Sequence, residues 1–360
     1  MLIRLAAFIA ATLILTACGE NSEPSGSNWM SQTNSNFAQV VPDKEVNLPS
    51  DHASHDAFKH EWWYFTANLV DEKGQSLGVQ WTQFRVALSP KVPNQDGAST
   101  QWKTQQMFMA HSAITTKEQH VADERWSRSH PNVAGVNANP FSVYIDDWHW
   151  RAESVEPFPA VVNVKTKDMS YKLLLEASAP YQKQGNLGFS KKSINGKVAS
   201  YYFSQPFIKV SGEVIVEGQR HQVTGTGWLD REWSSQFLLE TQQGWDWFAL
   251  RLSEDTALVV FQLREKEAPE YTYARLMKRD GSHTRVEQKD IKIKSKAMTE
   301  IGDQSYPTLW QLIIPSLDVD IEISALNPLA RMPLTISYWE GPTVISGSHQ
   351  GFGYMELTGY

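Results

Sequence analysis

The feature that most constrains this fold is a hairpin pattern that occurs twice. Glu61-Trp62-Trp63 opens a stretch that closes on Gln83-Phe84-Arg85, and Asp246-Trp247-Phe248 opens another that closes on Gln262-Leu263-Arg264. In each, an acid precedes two aromatics and a Gln-apolar-Arg triplet ends the return strand. Residues two apart on a strand face the same side, so each hairpin places a cation within reach of its opening acid. Two related β domains are the economical explanation. Glu61 with Arg85 and Asp246 with Arg264 read as structural ion pairs that fix the first strand of each unit.

The remaining sequence is consistent with this. Alternation of period two recurs along the chain and helical periodicity is scarce, which predicts an all-β protein. Trp63, Phe65, Ala67 and Leu69 share one strand face, and a turn at Asp71-Glu72-Lys73-Gly74 leads to the return strand. Asn195-Gly196 and Asp280-Gly281 suit the positive φ of tight hairpin turns. Residues 91–102, with Pro, Asn, Gly and Ser, read as a long surface loop.

The chain has one cysteine, Cys18, so no intramolecular disulfide can stabilise it. Arg4, the apolar run from Leu5 to Leu15 and the sequence Leu15-Thr16-Ala17-Cys18 read as a lipoprotein signal. The expected organisation is a signal peptide over 1–17 and a flexible tether over 18–45 that starts at lipidated Cys18. An N-terminal domain over 46–236 and a C-terminal domain over 237–360 follow, with the junction near 234–243. Gly19, where aspartate would signal inner-membrane retention, points to an outer-membrane anchor facing the periplasm. The lipid bilayer, reached through Cys18, is then one partner. A net charge of −7 with scattered basic residues argues against nucleic acid.

The segment hardest to explain as scaffold is Thr224 to Ser235. Alternation puts Trp228, Asp230 and Glu232 on one side and Leu229, Arg231 and Trp233 on the other. Two buried carboxyls at i and i+2 raise one another's pKa, and a protonated carboxyl at neutral pH is a general acid. The residues leave two readings open: Asp230 and Glu232 as catalytic groups, or a salt-bridged corner neutralised by Arg231 or Arg264. The cluster of His52, His55 and His60 with Asp51, Asp56 and Glu61 fits no zinc spacing. His111 and His149 read as neutral strand histidines. No metal or cofactor is expected, and no Gly-x-Ser-x-Gly elbow supports a serine hydrolase.

Several motifs together resemble one family. They are His60-Glu61-Trp62-Trp63-Tyr64, Tyr201-Tyr202-Phe203-Ser204-Gln205-Pro206, Gly227-Trp228-Leu229-Asp230-Arg231-Glu232-Trp233, Gly244-Trp245-Asp246-Trp247-Phe248, Tyr338-Trp339-Glu340-Gly341 and the ending Gly353 to Tyr360. This set is similar to the AttH-like branch of the carotenoid 1,2-hydratase family. The resemblance implies two tandem lipocalin-like β-barrels. It also implies that Asp230, in Trp228-Leu229-Asp230, matches the aspartate that donates a proton to an isoprenoid double bond. The hydratases carry Tyr where this chain has Trp228, and their upstream His-x-aromatic element has only Tyr201-Tyr202-Phe203 as an approximate counterpart.

The favoured reading is a membrane-anchored lipocalin-like protein that binds a hydrophobic or amphiphilic small molecule. Trp63, Tyr64, Tyr202, Trp228, Trp245, Trp247, Tyr338 and Glu340 are its candidate ligand-binding residues. The alternatives are a hydratase acting through Asp230 and an accessory component docking on an ABC transporter. One prediction comes from the leader alone. Cys18→Ser should release the protein from membranes or leave it unprocessed, and a fatty-acid analogue should label only the Cys18 form; equal labelling and retention would refute the anchor.

Overall fold

The computed structural model describes residues 28–31, 36–90 and 104–360. The leader, Cys18 and the loop read over 91–102 lie outside the described residues. The described chain is all-β and forms two antiparallel sheets, one of thirteen strands and one of ten. Together they make two lipocalin-like barrel units.

Both units are wound the same way. In the first, the strand His60–Asp71 lies between its hairpin partner Ser76–Ala87 and the last strand of the unit, Gln219–Ser234. In the second, Gln242–Arg251 lies between Thr256–Glu265 and the last strand, Gly351–Leu357. Glu61 is directly opposite Arg85, whereas Asp246 is opposite Gln262 and Arg264 pairs with Gly244. The hairpin repeat in the sequence is thus a repeat of topology.

Alternation explains where the side chains go. From His60–Asp71, residues Trp63, Phe65, Ala67 and Leu69 enter the core of the first barrel. Phe248 and Leu250 do the same in the second. The opposite faces of these strands do not meet water. Tyr64 and Trp228 pack with Trp247, Ala249 and Phe261 in a third apolar cluster that joins the barrels. Two walls are therefore packed back to back, and their central strands are buried on both faces. Gly78 permits the approach, because a Cβ there would lie 2.7 Å from both Pro342 Cγ and the Tyr354 hydroxyl.

The segment expected as a free tether departs from that expectation where it is described. Met30 and Phe37 are buried, Phe237 donates its backbone N–H to Met30 O at 3.2 Å, and Ser235 Oγ donates to Ala38 O at 2.6 Å. Isolated apolar residues in a polar stretch have no periodicity to read, yet each fills a place on the finished barrel. The chain crosses between the sheets through residues 235–241, and Phe237 and Leu238 there are buried too.

A buried ionic network braces the first wall. Glu61 receives Arg85 Nε at 2.9 Å and Arg231 Nη2 at 2.7 Å, and His55 Nδ1 lies 2.6 Å away. Burial alone would raise the Glu61 pKa, but His55, Arg231 and Arg85 hold it well below the usual range. The second wall is braced less strongly. Burial pushes Asp246 up to about 6 although Arg264 and Tyr360 both bond to its Oδ1, because one partly open guanidinium does not offset full desolvation. Removing one partner of a buried ion pair costs about 3–5 kcal/mol. Glu61→Gln should therefore lower unfolding free energy by about that amount, read as a shift in the urea midpoint. A change below about 1 kcal/mol would show that the network is not bracing the wall.

Candidate functional site

The cavity lies between the barrels, on the outer faces of the two walls. Its volume is about 100 Å³. Trp62, Tyr64 and Phe84 line it from the first barrel, and Trp245, Trp247 and Phe261 from the second. Met30 and Phe237 close one side. Into this apolar space project Asp230, Glu232, Glu356, Lys192, His111 and Tyr338.

Asp230 and Glu232 share a strand face but differ in their partners. Lys192 Nζ sits 2.6 Å from Glu232 Oε1, and Ser200 Oγ donates to the same oxygen. Lys192 also lies over the rings of Tyr202 and Phe261. Asp230 has no cation partner among the described residues. Its Oδ1 accepts from Trp228 Nε1 at 2.8 Å and Ser204 Oγ at 2.5 Å, and its Oδ2 from the Tyr202 hydroxyl at 2.5 Å. Burial pushes the Asp230 carboxyl up to about 7; hydrogen bonds from Ser204, Tyr202 and Trp228 oppose the rise and the nearby Glu232 charge adds to it. A carboxyl poised there holds a transferable proton at neutral pH.

The salt-bridged corner expected as an alternative for Asp230 does not form. Arg231 leaves the other face of the strand toward Glu61, with its guanidinium 3.9 Å over the Trp63 ring, and Arg264 belongs to Asp246. Alternation itself separates them, because neighbours on a strand point to opposite sides.

The two walls are tied across the interface by polar contacts. Tyr64 donates its hydroxyl to Glu340 Oε1 at 2.6 Å, and Trp247 donates Nε1 to the Tyr202 hydroxyl at 3.3 Å. Each barrel thus sends an aromatic donor to the other.

A family model described as AttH-like matches residues 39–360. The chain belongs to the AttH-like family. Its fold is similar to the crystal structure of a Nitrosomonas europaea protein assigned to AttH, at 30% identity and a TM-score of 0.79, over 90% of this chain and 99% of that one. Kievitone hydratase from Nectria haematococca shares the fold at 15% identity and a TM-score of 0.67, over 90% and 96% of the two chains. The structure of CghA with Sch210972 is more distant, at 12% identity and a TM-score of 0.51 over 93% and 98%. No curated protein matches the sequence significantly.

In this AttH-like protein, Tyr64, Trp245, Trp247 and Tyr338 of the expected ligand-binding set line the cavity. Trp228 and Tyr202 stand behind it and bond to Asp230, and Glu340 stands behind it and bonds to Tyr64. Trp63 is a correction: it points into the first barrel, 1% exposed, and its neighbour Trp62 takes the cavity position. His52, His55 and His60 do not converge, since His52 packs near Phe203, His55 stacks on Trp233 and His60 faces Phe237. Sequence reasoning missed Lys192, Met30 and Phe261, which only the third dimension brings to the site. It also left Glu356 without a role, although the repeat could have found it. Glu232 is opposite Trp62 and Glu356 is opposite Trp247, in equivalent places of the two hairpins.

A pH-dependent stability signature follows from Asp230. Its folded pKa of about 7 exceeds the ordinary 3.8, so the folded state binds more protons between those values and stability falls as pH rises through that window. A three-unit shift corresponds to at most about 4 kcal/mol. Asp230→Asn removes this titration while retaining size and an acceptor at the Oδ1 position. Melting temperatures across the window should give a variant slightly less stable than wild type near pH 5 and at least as stable above about pH 8. A uniform loss of about 3–5 kcal/mol at every pH, as for a broken ion pair, would refute a cation-free Asp230.

Proposed function

We propose that the protein is an acid-catalysing hydratase, or a related lyase, for a hydrophobic isoprenoid-like molecule that binds in the cavity between the barrels. One observation supports this above the pure carrier reading: a buried carboxyl with no cation partner among the described residues, inside an aromatic-lined cavity. Protonating an alkene carbon requires an acid that keeps its proton near neutral pH, and the resulting cation is stabilised by aromatic faces and nearby carboxylates. Asp230 fits the first role. Tyr64, Trp247 and Phe261 fit the second. Membership of the AttH-like family and a fold shared with kievitone hydratase support the same chemistry.

In this scheme the Asp230 O–H bond breaks as a C–H bond forms, leaving a tertiary carbocation and the Asp230 carboxylate; water adds to the cation, its released proton passes to a carboxylate of the cavity, and Asp230 regains a proton for the next turnover. Binding of the apolar substrate is the first step, so the features that suit a carrier also serve the enzyme. Tyr202, Ser204 and Trp228 act as positioning residues that hold the carboxyl and stabilise its ionised form after transfer. Anchoring through Cys18 would keep the site near a source of such molecules. Met30 follows Cys18 by twelve residues, a reach of at most about 40 Å for an extended chain.

The test is incubation of the purified protein with an acyclic isoprenoid bearing a trisubstituted double bond, in isotope-labelled water. A tertiary alcohol carrying labelled oxygen is expected, with a rate that falls as pH rises through about 7 because Asp230 loses its proton. Asp230→Asn should slow turnover by about 10²-fold or more while tryptophan quenching reports nearly unchanged binding. Tight binding with no product across a series of such alkenes would leave the carrier reading in its place.

A further inference from the structure

The second wall holds two carboxyls that the scheme above does not name, one lining the cavity and one behind it. Glu340 and Glu356 are direct partners on the adjacent strands Tyr338–Gly347 and Gly351–Leu357, so their side chains leave the sheet on the same face. Glu356 lines the cavity and accepts from Trp245 Nε1 at 2.8 Å. Glu340 is 1% exposed; its Oε1 accepts from Tyr64, and its Oε2 is buried with no hydrogen-bond partner among the described residues. An orphaned carboxylate oxygen in such a place is costly, whereas a protonated one offers a hydrogen to its neighbour.

The internal repeat provides a control. Where the second wall sets Glu340 opposite Glu356, the first sets Tyr202 opposite Glu232, and Glu232 has Lys192 beside it. The wall does not need a second carboxyl for its architecture. Two carboxyls opposite one another in a buried site oppose each other's ionisation, and where their oxygens meet they share a proton.

We propose that Glu340 and Glu356 form a proton-sharing pair that is the second acid–base site of the cavity and accepts the proton released by the adding water. This rests on the reading of Asp230 as the donor. The balance is complete: Asp230 gives its proton to carbon, water oxygen bonds to the cation, and one water proton passes to the ionised member of the pair. The product is the tertiary alcohol, and the pair then returns its extra proton to solvent while Asp230 regains one. Toward the outside, the Tyr338 hydroxyl lies 3.0 Å from His111 Nδ1, and His111 Nε2 lies 3.6 Å from the partly exposed Glu124.

The electrostatics agree with this geometry. Burial pushes Glu340 well up and the Glu356 charge adds to it, while the Tyr64 hydrogen bond and the nearby Tyr338 and Gln80 side chains oppose the rise. Burial pushes Glu356 up to about 7; the Trp245 hydrogen bond opposes the rise, and Glu232 and Asp230 add to it. The other titratable groups facing the pair are Tyr64, Tyr338 and Tyr354, and Lys192 and His111 line the same cavity.

Infrared titration of the unliganded protein tests the pair without any substrate. Near pH 6, wild type should show protonated-carboxyl absorption from Asp230, from Asp246 and from the pair. Asp230→Asn should retain the component from the pair, and adding Glu356→Gln should remove it or move its midpoint by more than about one pH unit. With the isoprenoid probe, Glu356→Gln should slow water addition by about 10²-fold or more and displace the acid limb of the pH–rate profile, with binding within about twofold. Glu340→Gln serves if Glu356→Gln does not fold, and the wild-type titration needs no variant. Protonated carboxyls from Asp230 and Asp246 alone, with no component that Glu356→Gln removes or shifts, overturn the proposal. So does turnover that Asp230→Asn abolishes but Glu356→Gln leaves at the wild-type rate with the same acid limb; in that case the reading of Asp230 stands. If no probe is turned over, the reading of Asp230 fails and with it the catalytic role of the pair, while the infrared result still decides whether the two carboxyls share a proton.

Discussion

The structure depends on the burial of both faces of two barrel walls. A barrel strand ordinarily needs one apolar face, because the other meets water. Here His60–Asp71 and Gln242–Arg251 are closed on both sides, inward by their own barrels and outward by each other. That arrangement creates a second interior with no sheet hydrogen bonds of its own. Its polar groups must be satisfied by side chains, so Tyr64 reaches Glu340 and Trp247 reaches Tyr202 across the seam. A carboxyl placed in this seam is desolvated as fully as one in a core, yet it adjoins a cavity.

The duplicated topology shows how two similar walls come to different electrostatics. Glu61 and Asp246 open equivalent strands, but Glu61 is met by two guanidiniums and an imidazole and Asp246 by one guanidinium. Glu232 and Glu356 occupy equivalent places on the closing strands, but Glu232 has Lys192 and Glu356 faces Glu340. The first wall therefore concentrates its cations on Glu61 and Glu232 and leaves Asp230 in the cavity without one among the described residues. The second leaves its carboxyls without comparable neutralisation. The asymmetry produces a site with proton-holding groups on opposite walls, which no single barrel of this kind would provide.

Arg231 illustrates the limit of reading chemistry from neighbours in sequence. Beside Asp230 it looked able to neutralise the acid, but a strand sends adjacent side chains to opposite faces, and Arg231 is used to brace Glu61. The same one-residue shift explains the exchange of Trp63 for Trp62: both are aromatic, and only register decides which of them lines the cavity.

What the sequence by itself determined is the local and periodic part. Alternation specified strands, Gly-containing dipeptides marked turns, the repeated acid-aromatic and Gln-apolar-Arg pattern marked two related units, and Asp230 stood out beside Trp228. These are properties of residues within one or two strands, where geometry follows from spacing. The tertiary structure decided the remainder. It closed the barrels back to back, brought Lys192 to Glu232 and left Asp230 without a cation, set Glu340 against Glu356, and laid Met30 over the cavity. Those contacts join residues far apart in the chain, and their energies depend on desolvation, which exists only once both walls have buried the same space.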